Sequence, residues 1–156
     1  MIKISFVRIS PTHHRFSYER ENGSGESIEL ETKTYLLHDF VHFCVESEAQ
    51  LTGGFYGQLA QGSTFADLVG TPNSELSGMG LDVERVVGAL TGVVQGRITP
   101  DALLDGLKNL YQAYGKPIPG WVNQEYIAQV SERYRKLNGQ WNSLRFGERL
   151  DLVFGK

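Results

Sequence analysis

The sequence predicts an α+β fold, with a small antiparallel sheet from N-terminal strands and the C-terminal strand and a central block of about four helices. Three observations predict it. Apolar and polar residues alternate through the first thirty positions. The same two-residue period returns in GERLDLV (147–153), which echoes GESIELE (25–31). Between them, apolar residues recur at helical spacing, with capping residues at the ends. At 156 residues the chain is long enough to bury a core and is read as a single domain, 1–156.

In MIKISFVRIS, Ile2, Ile4 and Phe6 share one strand face while Lys3 and Ser5 take the other, and Pro11 ends the run. A hairpin follows: Phe16 and Tyr18 point inward, NGSG (22–25) turns, and Ile28 and Leu30 return. A first helix is expected over 35–51, stopped by left-handed Gly53-Gly54. The Gly-rich stretch 52–80 fits this pattern least. It admits a short helix at FYGQLAQ, another turn at FADLV, or a long functional loop. A second helix covers LDVERVVGALTGVVQ, with Val83, Val86, Val87, Leu90 and Val94 in one stripe. The third has Thr99 as N-cap, Pro100 at the first helical position and Gly115 as the stop. Leu103, Leu107, Leu110 and Tyr114 are its expected inner face. A fourth runs from Asn123 through Tyr126, Ile127, Val130, Tyr134 and Leu137 to Asn138-Gly139. The final strand pairs into the same sheet as residues 2–9.

The stretch LLHDFVHFCVESE (36–48) carries the one site the sequence offers. On a wheel at 100° per residue, Leu36, Leu37, Phe40, Val41, Cys44, Val45 and Leu51 form an apolar arc. His38, His42 and Glu46 stand in a row on the opposite side, with Asp39 beside them. One helical turn between two imidazoles brings their ring nitrogens over a common point, which suits a divalent metal such as zinc. Glu46 is then either a third ligand or the group that orients a histidine. The alternative is that this polar arc is the solvent side of an amphipathic helix.

The string HDFVH resembles the HExxH signature of zinc-dependent proteases over five residues, with Asp39 where that family has a glutamate acting as general base. Asp39 is one methylene shorter, and no third ligand stands at the family's downstream spacing, so protease activity is not carried over. The pattern LxHDxxHxxVE is also similar to that of small uncharacterised bacterial proteins, a resemblance that spans this helix and implies no activity. Asp39 and Glu48 are the candidate catalytic carboxylates. Glu48 falls inside the apolar arc, where a carboxylate needs a partner, most simply an arginine from another element.

Other signals are weaker. His13 and His14 point to opposite strand faces, both expected to be exposed near Pro11. Cys44 belongs with the core rather than with a nucleophile. RYRK (133–136) with Arg145 and Arg149 makes a basic cluster, either a solvated face or a site for phosphate or acidic peptide. No phosphate-loop or dinucleotide motif occurs. A net charge of −3 argues against general affinity for nucleic acid or anionic lipid. No long apolar run suggests a membrane span, and one cysteine is consistent with a reducing bacterial cytoplasm. The reading that results is metal or small-ligand binding on helix 35–51, with metal-assisted hydrolysis as the reaction class. Its rival is a non-catalytic interaction protein, such as a homodimer, that uses the same helix and GGFYG as a contact surface.

Overall fold

Four strands pair in a computed structural model that describes residues 1–69 and 78–155. β1 (Ile2–Arg8), β2 (His13–Arg20), β3 (Gly25–Glu31) and β4 (Arg149–Phe154) form one antiparallel sheet in the order β3-β2-β1-β4. The pairing follows the apolar alternation. Phe6 stands opposite Phe16 and Leu150, and Ile4 opposite Tyr18 and Leu152. A register slip of one residue would turn Ile2, Ile4 and Phe6, all buried, towards water. The expected union of both chain ends in one sheet is therefore present, and the NGSG turn closes with Gly23 at φ +83.

Six helices occur among the described residues: α1 (Thr32–Glu48), α2 (Phe55–Gln61), α3 (Phe65–Val69), α4 (Gly78–Val94), α5 (Pro100–Ala113) and α6 (Gln124–Ser143). Aromatic contacts seat four of them on the sheet. Phe40 of α1 meets Phe6, Tyr56 of α2 and Phe65 of α3 meet Phe16, and Trp141 of α6 meets His14. α4 packs against α1 and α6, burying Val83, Val86, Val87 and Leu90. The short α2–α3 segment is clamped to the hairpin by polar groups. Arg20 donates to the carbonyls of Leu59 and Ser63, both at 2.7 Å, and Glu26 accepts from the backbone N–H of Phe65 and the hydroxyl of Tyr18. No helix among the described residues is long and apolar enough to cross a membrane. Of the Gly-rich stretch 52–80, residues 70–77 lie outside the described residues.

Several expectations need correction. α1 spans Thr32–Glu48 rather than 35–51, and Gln50, at φ +53, takes the left-handed position assigned to Gly53-Gly54. In α5 the buried face is Leu103, Leu104, Leu107 and Tyr111, whereas Leu110 and Tyr114 are exposed. The hydroxyl of Tyr111 donates to Asp82 on α4 and fixes that rotation of the helix. α6 continues past Asn138-Gly139 to Ser143, because burying Trp141 outweighs a local stop signal, and a helical glycine costs only about 1 kcal/mol. His14 is fully buried, not exposed like His13. Its Nδ1 lies 3.0 Å from the Thr32 hydroxyl and its Nε2 has no hydrogen-bond partner.

Two outcomes test this account. The Thr99 hydroxyl accepts from the N–H of Ala102 at 3.1 Å, so Thr99→Ala should lower stability by about 1 kcal/mol, read as a shifted denaturation midpoint. Burial, reinforced by the neighbouring His13, lowers the pKa of His14 to about 4, so the folded state binds fewer protons there than the unfolded chain. Stability should then be complete above pH 6.5 and decline between 6.5 and 4, by at most about 1.4 kcal/mol per pH unit. A His14→Gln variant should show a flatter denaturation profile across that window.

Candidate metal centre

α1 carries the row His38, His42 and Glu46, and the fold buries most of it. His42 is 1 % exposed, Glu46 0 % and Asp39 4 %, which leaves only His38 open to solvent. The polar arc is therefore not a wet face. It is covered by the turn 53–57 at the start of α2 and by Glu84 of α4.

Glu46 organises this cover. Its Oε1 accepts from the backbone N–H groups of Tyr56 (2.9 Å) and Gly57 (3.1 Å), two of the orphan donors at the start of α2. Its Oε2 lies 3.0 Å from Nδ1 of His42. The chain must come very close for this, and the glycines of GGFYG permit it. A Cβ on Gly54 would strike the carboxylate of Glu46, and one on Gly57 would strike the carbonyl of Thr52. The Tyr56 hydroxyl, fully buried, donates to the carbonyl of Asp39 at 3.0 Å and fastens the turn to the helix a second time.

With Nδ1 held by Glu46, the Nε2 of His42 is aimed away from it towards Glu84. Nε2 is 3.0 Å from Oε1 of Glu84, yet the approach falls outside hydrogen-bond geometry and leaves this buried nitrogen without a hydrogen-bond partner. The other oxygen of Glu84 is 3.8 Å from Nε2 of His38, and the two imidazoles lie with centroids 4.5 Å apart. Ligand atoms of His38, His42 and Glu84 all fall within 4.8 Å of one another. Atoms held about 2.0–2.1 Å from a tetrahedral zinc ion lie about 3.3 Å apart, a spacing bracketed by the two histidine–Glu84 separations. The carboxylate that joins the histidines is thus Glu84, and Glu46 sits behind His42. Asp39 flanks His38, with Oδ1 at 3.9 Å from Nδ1 and Oδ2 without a partner.

The charges are strongly coupled. Burial alone would lower the pKa of His42, but the carboxylate of Glu46, hydrogen-bonded to its ring, and that of Glu84, 3.0 Å away, raise it to about 9. Burial would raise Glu84, but His38 and His42 bring it down to about 2. Asp39 and Glu84 raise His38, while burial raises Asp39 against the pull of both histidines. Both carboxylates favour the protonated form of His42.

The remaining sequence candidates lie elsewhere. Glu48 pairs with Arg133 at 2.8 Å, the expected ion pair, and lines a different groove. Cys44 is buried, and burial pushes its thiol up to about 12, far from a nucleophile's range. The basic cluster is largely engaged: besides Arg133, Arg135 pairs with Glu132 and Arg149 with Asp151. For a contact surface, burial of Tyr56 and His42 leaves mainly Tyr35, His38 and half-buried Phe55. Sequence reasoning missed Glu84. Its only signal was a carboxylate beside the buried Val83, which Asp82 on the same helix shares.

Comparison with protein-family models, with curated proteins and with solved structures finds no match for this chain.

The arrangement makes Glu46 a structural keystone. Glu46→Ala would leave two buried N–H donors and the Nδ1 of His42 without a partner, and should cost about 3–5 kcal/mol. Gly54→Ala should cost about 1–3 kcal/mol by crowding the same carboxylate. Urea denaturation of both variants checks these values. A loss below about 0.5 kcal/mol for Glu46→Ala would mean that the carboxylate is not bound as described.

Proposed function

We propose that the protein binds a divalent metal, zinc being the best chemical fit, between His38, His42 and Glu84, and uses it for hydrolysis. One observation carries this reading. A fully buried histidine is fixed at Nδ1 by a carboxylate and has its Nε2 directed, without a hydrogen bond, at a second histidine and a second carboxylate. A carboxylate behind a ligating imidazole fixes its tautomer and raises its basicity, which is the part Glu46 would play. Two nitrogens and one carboxylate make the donor set of hydrolytic zinc sites, which keep a fourth position open. A cavity of about 340 Å³ lined by His38, Asp39 and Glu84 adjoins these donors and would give a ligand access to the metal.

The metal would supply Lewis acidity at the bond to be cleaved. Asp39, which lines the cavity and has a buried, unpartnered Oδ2, would take up and return a proton. Glu48, tied to Arg133, has no part in it. A reducing cytoplasm suits a chain whose one cysteine is a buried free thiol.

The test is a zinc titration of the untagged protein by calorimetry and thermal shift. Wild type should bind one equivalent and melt higher, while His42→Ala and Glu84→Ala should each weaken binding by at least about tenfold. Equal and weak binding in all three would exclude the site. Because His42 holds its proton up to about pH 9, zinc uptake should release it, and affinity should rise by up to about tenfold per pH unit from 7 to 9.

A further inference from the structure

The cavity beside the metal ligands has a composition that selects ligands by charge. Tyr35 of α1, Phe55 of α2 and Phe65, Leu68 and Val69 of α3 make its apolar wall. Gln58 adds a neutral amide, which donates from Nε2 to the carbonyl of Gly53 at 3.2 Å. Besides His38, the ionisable groups at its polar end are the carboxyls of Asp39 and Glu84. No lysine or arginine lines it among the described residues, and the sequence GTPNSELS at 70–77 contains none.

Two arginines of neighbouring segments are turned to other work. Arg85, next to Glu84, lies over the rings of Tyr111 and Tyr114 at 5.0 and 4.9 Å. Arg20 spends its guanidinium on the carbonyls of Leu59 and Ser63. Apart from a bound metal, the groups that hold phosphate esters are arginine, lysine and exposed N–H groups at a helix start. The N–H groups of Tyr56 and Gly57 are already taken by Glu46.

We infer that this cavity takes a small uncharged ligand bearing an aromatic or branched apolar group, with a carbonyl-type oxygen facing His38, His42 and Glu84, and rejects phosphate esters. A carboxylic ester or amide of this kind is the substrate class. Hydrolysis joins the oxygen of water to the carbonyl carbon and breaks the C–O or C–N bond. The proton of the water leaves with the alcohol or amine. A volume of about 340 Å³ is at the small end of ligand pockets and suits a small acyl group. The assignment rests on the metal reading above.

The experiment uses zinc-loaded full-length protein and four probes in calorimetry: benzohydroxamic acid, acetohydroxamic acid, phenylphosphonate and inorganic phosphate. Benzohydroxamic acid should bind at least about tenfold more tightly than acetohydroxamic acid, because its ring leaves water for the apolar wall. It should also exceed phenylphosphonate by at least about tenfold, since the cavity offers that dianion no cation beyond the metal. Leu68→Lys, at a half-buried wall position, should raise phenylphosphonate affinity by at least about fivefold while the variant keeps a cooperative melt. Zinc binding with equal affinity for both hydroxamates, with phenylphosphonate the tighter ligand, or with no gain in the folded variant overturns the ligand class and leaves the metal site standing. Absence of zinc binding overturns both.

Discussion

The carboxylate of Glu46 is the constraint on which the site depends. Wholly buried, it must be satisfied at both oxygens, and its partners come from two directions: Tyr56 and Gly57 through their backbone, His42 through its ring. One side chain thereby joins the middle of α1 to the start of α2 and sets the orientation of an imidazole. The glycines at 54 and 57 follow from it, since a side chain at either place would collide with the carboxylate or with the preceding turn. So does the approach of Phe55 to the histidine ring, with centroids 5.9 Å apart.

The same constraint shapes the electrostatics. Asp39, Glu46 and Glu84 bring three carboxyls around two histidines, and the model of a solvated polar face does not describe them, because only His38 is more than half exposed. Burying a carboxylate is costly unless opposite charge accompanies it. A proton on His42 supplies part of that charge, held up to about pH 9 by its two carboxylate neighbours. A divalent cation bound there, as proposed, would supply more of it at the same place and displace the proton. Proton and metal would then compete for one nitrogen.

The sequence made part of this legible. Alternation in β1 and β4 specified a common sheet because each strand has one face to hide, and Thr99 with Pro100 marked a helix start through local chemistry alone. The row on α1 was visible because helical spacing is fixed. Its burial was not, since a wheel shows which residues share a face and cannot show what covers it. Glu84, thirty-eight positions beyond Glu46, enters only through the packing of α4 on α1. His14 escaped for a similar reason: a strand face near a proline looked open until Trp141 closed over it. Gly53-Gly54 looked like a helix stop, whereas Gln50 makes the left-handed turn and Gly54 serves the close approach.

Glu84 also bears on whether such a centre would hold the fold together or act on a ligand. A purely structural zinc site closes all four positions with protein donors. Here three donors converge from two helices whose packing is already secured by Val83, Val86 and Val87, so the fold does not need a metal to bring α1 and α4 together. Beside His38, Asp39 and Glu84 lies a cavity with an apolar wall. An ion held by three donors on a scaffold complete without it, next to such a cavity, would be exposed to a ligand rather than buried.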